Sequence, residues 1–422
     1  MKPLLIRSAI AVALWMACAA TAAVSPVAAN GKLHVQGSYL LNERGDTVQL
    51  RGVASHGLQW FSKFYAAGDA FGAAADQWGA DVIRLTLYLS EDGYLTSKTI
   101  TKAQFDRMID DYVKVCVQKG IYVILDWHVH KPGYPAYYLP QAKDFFTRMS
   151  AKYAKLPNVM WEICNEPSSA PLTEIQSGQP GVTDPGHDVA WSEIVAYAKE
   201  VVPLIKANNP DAVILVGTPS WSSLGISSKG NDAWKEIAAN KLSYSNVLYV
   251  IHYYAASHNF QAAYEAASQQ LPLFSTEWAA AGFQETSSND EGKGQAYADM
   301  LRRRKIGWCY WNYSDGTPGI FATFDSSTAA TGPFAPGGSN ITPTGRLVYK
   351  WLSQPEDSWS NYVPTALIAE GGRLRAHRQS SVFIRTPEGL RILVGGGSGG
   401  SMIHAVDGSG RAYSGSIRPV RR

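Results

Sequence analysis

Cysteine is scarce in this 422-residue chain, with four residues in all. Cys116, Cys164 and Cys309 each lie inside an apolar run, so buried thiols are expected, and neither a disulfide framework nor a thiol nucleophile is. No Cys/His cluster has the spacing of a metal site. His128-x-His130 would put two imidazoles on one strand face, but no third ligand accompanies them, and no metal or other cofactor is expected. No Gly-x-Gly-x-x-Gly follows the first strand-like run, which removes the phosphate cradle of a dinucleotide fold. Excess charge is missing too. The 38 Lys+Arg and 35 Asp+Glu nearly cancel, no basic stripe crosses the main body, and a nucleic-acid partner is not expected. Nor is a membrane span, because the longest apolar run, at the N-terminus, is short and Ala-rich.

That N-terminus reads as an export signal. Lys2 and Arg7 form a positive start, Ala9 to Met16 an apolar stretch, and Ala20-Thr21-Ala22 a cleavage site, so residues 1–22 are expected to be removed. A lipid anchor at Cys18 is a weaker alternative, since Trp15-Met16-Ala17 is not a Leu-led box of small residues. The expected location is secreted or cell-surface. Aromatics are plentiful by contrast. Most of the 13 Trp are expected in the core, but flat indole faces also suit the apolar faces of sugar rings.

Residues 33–36 and 47–51 flank Asn42-Glu43-Arg44-Gly45-Asp46 and predict an N-terminal β-hairpin. Eight β-rich runs then alternate with helical patterns: 48–54, 82–87, 122–126, 159–164, 213–216, 247–252, 273–275 and 307–311. The last helix is expected at 346–352. Eight alternations predict an α/β fold, a (β/α)8 TIM barrel over residues 31–353. An open doubly wound sheet is the rival, and the count of eight favours closure. Residues 363–422 change character, being basic, Gly-punctuated and made of short alternating runs, and predict a small β-rich C-terminal module.

In a barrel the chemistry sits at the C-terminal ends of the strands. Those ends carry His56 and Trp60, Arg84, His128 and His130, Asn165 and Glu166, His252 and Tyr254, Glu277, and Trp311. Any one such residue is more often structural than not. Polar or aromatic endings on nearly every strand of one barrel argue jointly for a site. Two strand-like runs end on a carboxylate, Trp161-Glu162-Ile163-Cys164-Asn165-Glu166 and Phe274-Ser275-Thr276-Glu277. A pair of carboxyls facing across a bond is the minimum equipment for glycosidic cleavage. Glu162, four residues before Glu166, is read as a buried supporting carboxylate.

The ordered set Arg84, Asp126-Trp127-His128, Asn165-Glu166-Pro167, His252-Tyr253-Tyr254, Glu277-Trp278 and Trp311-Asn312-Tyr313-Ser314-Asp315, with the run from Arg51 to Trp60, resembles glycoside hydrolase family five. It is most similar to the bacterial endoglucanases of that family, from about Leu33 to Leu352. The resemblance implies a retaining endo-β-1,4-glucanase acting on cellulose or a related β-glucan. Glu166 would be its acid/base and Glu277 its nucleophile. It further implies supporting roles for Arg84 and Tyr254 beside the nucleophile. Asn165 would bond the sugar 2-hydroxyl, His252 would orient the nucleophile's surroundings, and His128 would reach the sugar at the cleavage point. His56, Trp60, Tyr88, Trp221 and Trp311 are expected to bind substrate, and Trp127, Trp161 and Trp308 to be core. One departure stands out: Gly316-Thr317-Pro318 occupies the place where such enzymes often carry a Lys for the distal sugar. A mannanase or xyloglucanase of the same barrel clan, or a catalytically silent carbohydrate-binding protein, are the alternatives. The protein is expected to be a monomer. The tail would contact a cell surface or sorting machinery, or bind carbohydrate, although after Val363 it contains no Trp.

Overall fold

The computed structural model describes residues 25–66, 69–168, 188–284, 286–316, 320–328 and 332–354, together with the backbone of four short strands between 383 and 416. The predicted signal segment lies outside the described residues, as does most of the tail.

Eight parallel strands close into a barrel in sequence order: β1 (Arg51–Ala54), β2 (Val82–Tyr88), β3 (Tyr122–His128), β4 (Val159–Glu162), β5 (Ile214–Val216), β6 (Val247–Tyr254), β7 (Leu273–Ala279) and β8 (Gly307–Trp311). β8 pairs with β1, with Trp311 opposite Ala54. Closure excludes the open doubly wound sheet.

The side-chain period of two sorts each strand into a barrel face and a helix face. In β2, Ile83, Leu85 and Leu87 join the core under the helices. Val82 and Tyr88 join the cluster inside the barrel, and Arg84 shares their phase. β3 does the same: Val123, Leu125 and Trp127 face the helices, while Tyr122, Ile124, Asp126 and His128 face inward. The longer helices that follow are amphipathic, and those starting at Lys102, Glu291 and Pro343 carry side-chain N-caps. Lys102–Lys119, for example, starts on a reciprocal Thr101/Gln104 capping box and stops at Gly120, whose φ of 64° suits a residue without Cβ.

The N-terminal hairpin differs in register from expectation. His34–Gln36 pairs with Tyr39–Leu41 around Gly37, whose positive φ makes a two-residue turn. The Asn42–Asp46 turn forms, but Thr47 contributes only a bridge to Leu41. The nearer turn is inconspicuous in the sequence because Gly37-Ser38 is a weaker signal than the five-residue polar cluster. Leu33, Leu40, Val48 and Leu50 pack with the inward residues Val82 and Tyr122, so the hairpin seals the N-terminal end of the barrel.

β7 runs four residues beyond the predicted 273–275 and contains a bulge. Val250 pairs with Phe274, but His252, two residues on, pairs with Glu277, three residues on. The same extra residue appears against β8. In the tail, Phe383–Arg385, Arg391–Val394, Met402–Val406 and Ala412–Ser416 pair as an antiparallel meander.

Candidate active site

The bulge in β7 decides the centre of the site. In a regular strand Thr276 and Glu277 would point to opposite faces. The extra residue lets both face inward, the usual use of a bulge beside a functional site. Thr276 Oγ1 donates to Glu162 Oε1 (2.9 Å), and Glu277 Oε2 accepts from Arg84 Nη1 (3.1 Å).

Arg84 is wholly buried and forks into four partners. Its Nε–H and Nη2–H groups donate to Glu162 Oε2 (2.7 Å) and Oε1 (3.0 Å). Nη2 also donates to Asn165 Oδ1 (2.6 Å) and lies 3.0 Å from Asp126 Oδ2. Such geometry needs the planar guanidinium rather than an ammonium. Glu162 is therefore a buried structural carboxylate, as its place in the strand suggested.

One guanidinium cannot neutralise three carboxylates. Burial pushes Asp126 and Glu162 up to about 7 even with Arg84 beside them. Burial also works against the Glu277 anion, but His252 and Arg84, with a hydrogen bond from Tyr254, hold that carboxyl down at about 2. Tyr254 Oη donates to Glu277 Oε1 at 2.5 Å. Of the three carboxylates, Glu277 is thus the one held most firmly in its ionised form.

Glu166 lies past the end of β4 and is partly exposed. Its Oε1 meets His252 Nδ1 at 2.8 Å. His252 Nε2 donates to Thr276 Oγ1 (3.0 Å), whose own proton goes to Glu162. His252 thus bridges to Glu166, while its Nδ1 is 4.0 Å from Glu277. The sequence sets it beside the nucleophile, which it neighbours, while its hydrogen bond goes to Glu166. Burial lowers the His252 pKa, but Glu277 and Glu166 outweigh that and raise it. Ligand atoms of Glu166, His252 and Glu277 all lie within 4.8 Å of one another.

The remaining predicted residues gather around this centre. His128 Nδ1 meets Asp126 Oδ2 at 2.5 Å, and its Nε2 lies 3.3 Å from Asn165 Nδ2. Burial holds His128 well below its ordinary pKa, so it is neutral. Asn165 is fixed by Arg84 on its oxygen and by His128 and the Val129 carbonyl on its nitrogen. His56 is likewise neutral, lowered to about 4 chiefly by burial. It accepts the Gly57 N–H at Nδ1 (2.6 Å), which leaves Nε2 as the protonated nitrogen.

An aromatic wall is built from β1, β2 and β8. Ring centroids are 4.9 Å apart for His56–Trp311, 5.2 Å for His56–Trp60 and 4.8 Å for Trp60–Tyr88. Trp311 is buried and lies parallel to His128, whereas Trp60 is 44% exposed. Trp221, 45% exposed, sits in the loop after β5. Trp127, Trp161 and Trp308 are core, as are all three thiols outside the N-terminal segment. Of Gly316-Thr317-Pro318, where a Lys is often found, residues 317 and 318 lie outside the described residues.

Three features escaped the sequence reading. His130 Nδ1 pairs with Glu91 Oε2 at 2.7 Å, across a loop that no pattern links to it. Phe283, 59% exposed, lies parallel to His258 at 6.2 Å, which in turn lies 6.1 Å from Tyr254. Aromatics just past β7 could have flagged this second rim. Ser222, buried behind Glu166, carried no signal at all.

A carboxylate pair this close, set in the C-terminal mouth of a closed parallel barrel, places the chain in the class of barrel glycosidases. The family model for cellulase (glycosyl hydrolase family 5) matches residues 41–317, and the chain belongs to that family. It is 39% identical over 327 residues to endoglucanase E-5 of Thermobifida fusca, covering 77% of this chain and 64% of that protein. It is 35% identical over 336 residues to endoglucanase CelA of Streptomyces lividans, covering 79% of this chain and 66% of that one. The chain thus spans somewhat less than two thirds of the length of these curated relatives. The solved catalytic domain of Thermobifida fusca endoglucanase Cel5A aligns with a TM-score of 0.69 at 39% identity, over 78% of this chain and 100% of that one. A variant of that domain has been solved in complex with cellotetraose.

Proposed function

We propose that this protein is a retaining endo-β-1,4-glucanase in which Glu277 is the nucleophile and Glu166 the acid/base. The observation that carries the reading is the approach of the two carboxylates, with oxygens within 4.8 Å. That matches the roughly 5–5.5 Å of retaining enzymes and falls well short of the ~6.5–9.5 Å that leaves room for a water in inverting ones.

In the first step Glu277 attacks the anomeric carbon, and Glu166 passes a proton to the departing glycosidic oxygen. A covalent glycosyl ester forms and the C–O bond to the leaving sugar breaks. In the second step Glu166 takes a proton from water, which displaces Glu277 and restores the carboxylate. Arg84 and Tyr254 keep Glu277 ionised and aimed. His252 orients Glu166. Asn165, held rigid on both sides, is supported as the partner of the sugar 2-hydroxyl, and neutral His56 and His128 as contacts to the sugars near the cut.

An internal cut is supported by the platforms. Trp60 follows β1 and Trp221 follows β5, on opposite sides of an eight-stranded ring, so a glucan chain can lie across the mouth. Cellotetraose bound to the related catalytic domain supports a β-glucan substrate. Export to the cell surface or medium is proposed from Lys2, Arg7 and the Ala20-Thr21-Ala22 site, and a sorting or surface role for the tail from its basic composition.

The test is hydrolysis of carboxymethylcellulose, lichenan, mannan and xyloglucan, with the anomeric product followed by NMR. Release of β-anomer from the cellulosic substrates is expected. Initial α-anomer would overturn the retaining mechanism, preference for mannan or xyloglucan would overturn the substrate assignment, and binding without hydrolysis would reveal a silent carbohydrate-binding protein.

A further inference from the structure

The loop after β5 has an unusual backbone. Ser220, Trp221, Ser222 and Leu224 all have φ between 53° and 60°. This is the left-handed region, in which a side chain crowds the following carbonyl, and non-glycine residues seldom adopt it in succession. Such a run persists only where its surroundings hold it, and it marks a functional segment more often than not.

What holds it is the segment bearing Glu166. Gly217 N–H donates to Cys164 O (3.1 Å), Ser222 Oγ donates to Asn165 O (2.5 Å), and Trp221 N–H donates to Pro167 O (3.0 Å). Gly217 must approach this closely, since a Cβ there would lie 2.4 Å from Cys164 O. The peptide group joining Asn165 to Glu166 is thereby gripped on both sides. Its carbonyl accepts from Ser222, and its N–H donates to Val129 O over a long 3.3 Å. Ser222 is fully buried, and its Oγ accepts the Thr218 N–H at 3.2 Å, which turns the hydroxyl proton toward Asn165. The same strained turn presents Trp221 to solvent.

We infer that Ser222 is a positioning residue for proton donation by Glu166, and that its loop ties the acid/base to the Trp221 sugar platform. Glu166 sits on a single-chain extension past β4 rather than in a strand ladder. Its carboxyl reaches the leaving oxygen only if the Asn165–Glu166 peptide plane is held, and the Ser222 hydroxyl is the short bond that holds it. This inference rests on the acid/base assignment of Glu166.

The experiment compares kcat/KM, which reports the first bond cleavage, on two substrates. Cellotetraose leaves as a poor alkoxide and needs the proton. Dinitrophenyl β-cellobioside leaves without one. Ser222→Ala removes the hydroxyl, and Ser222→Gly removes it while relieving the positive φ. Rates are taken per active site, titrated by the dinitrophenolate burst of a 2-fluoro cellobioside, so incomplete folding does not enter. Both variants are expected to lose about 10-fold on cellotetraose and less than about 2-fold on the activated substrate, a modest share of the ~10²–10⁴ that a general acid supplies. Equal losses on both substrates, no loss on either, or a Ser222→Gly enzyme that behaves as wild type would overturn the inference. Glu166→Ala serves as the control. Indiscriminate loss there would bring down the acid/base assignment itself, whereas a discriminating Glu166→Ala beside non-discriminating Ser222 variants would reject only the role of Ser222.

Discussion

Arg84 meets Glu277 through a single hydrogen bond, Nη1 to Oε2 at 3.1 Å, and this is the least of its commitments. The rest of the guanidinium is spent on Glu162, Asn165 and Asp126. The arginine is thereby locked by groups deeper in the barrel and offers one fixed donor to the carboxylate at the mouth. A preorganised charge of this kind costs no reorganisation when the substrate arrives.

Arg84→Lys should therefore fail although it conserves charge. One ammonium cannot bond four partners in a plane, and several buried acceptors are left bare. The expected losses are about 3–5 kcal/mol of stability and at least about 10²-fold in kcat/KM. Chemical denaturation and steady-state kinetics check both.

Glu277→Gln should abolish turnover, by at least about 10³-fold, while the near-UV circular dichroism stays native. The substitution also has a pH signature. The folded carboxyl titrates at about 2, below its ordinary 4.5. Between those values the unfolded chain binds a proton that the folded chain does not, so this group's stabilisation is full above about 4.5 and is lost as pH falls toward 2. The glutamine variant should lose less stability than wild type across that window. A wild-type slope in acid melts of the variant would contradict the assignment.

Thr276→Val keeps the β-branched shape in the bulge but deletes the hydroxyl between His252 and Glu162. A buried N–H and a buried carboxyl oxygen each lose a partner, at a cost of about 1–3 kcal/mol. His252 also loses the bond that fixes its tautomer toward Glu166. A lower Tm and a shifted pH–rate profile for kcat/KM are the expected readouts.

Trp60→Ala and Trp221→Ala remove exposed rings and should leave Tm within about 1–2 °C of wild type. Each should raise KM for long cello-oligosaccharides several-fold, on the order of 1 kcal/mol per lost stack. Trp311→Ala should behave differently. That ring is buried against His56 and His128, and its removal should cost about 3–5 kcal/mol of stability as well as activity.

The eight strands were legible because their β-rich runs alternate with helical stretches, a pattern that local chemistry alone sets. Arg84, Asn165, Glu166, His252 and Glu277 were findable for a related reason: polar residues at the ends of apolar strands are conspicuous. The hairpin register was misread because two turn signals competed within ten residues, and burial of Leu40 inside the barrel end settled the contest. The end of β7 was misread because a bulge has no period to detect.

By itself the sequence determined the alternation that closes the barrel, the burial of its thiols and the delivery of two glutamates to one rim. Only the tertiary structure decided which way those glutamates face and what each one touches. Alternation along a strand is a local property, written in neighbouring residues. The bulge at Thr276, the choice of Glu166 by His252 and the hold of Ser222 on the Asn165 carbonyl join residues tens to more than a hundred positions apart. Those contacts exist only once β4, β5, β6 and β7 have come together in one sheet.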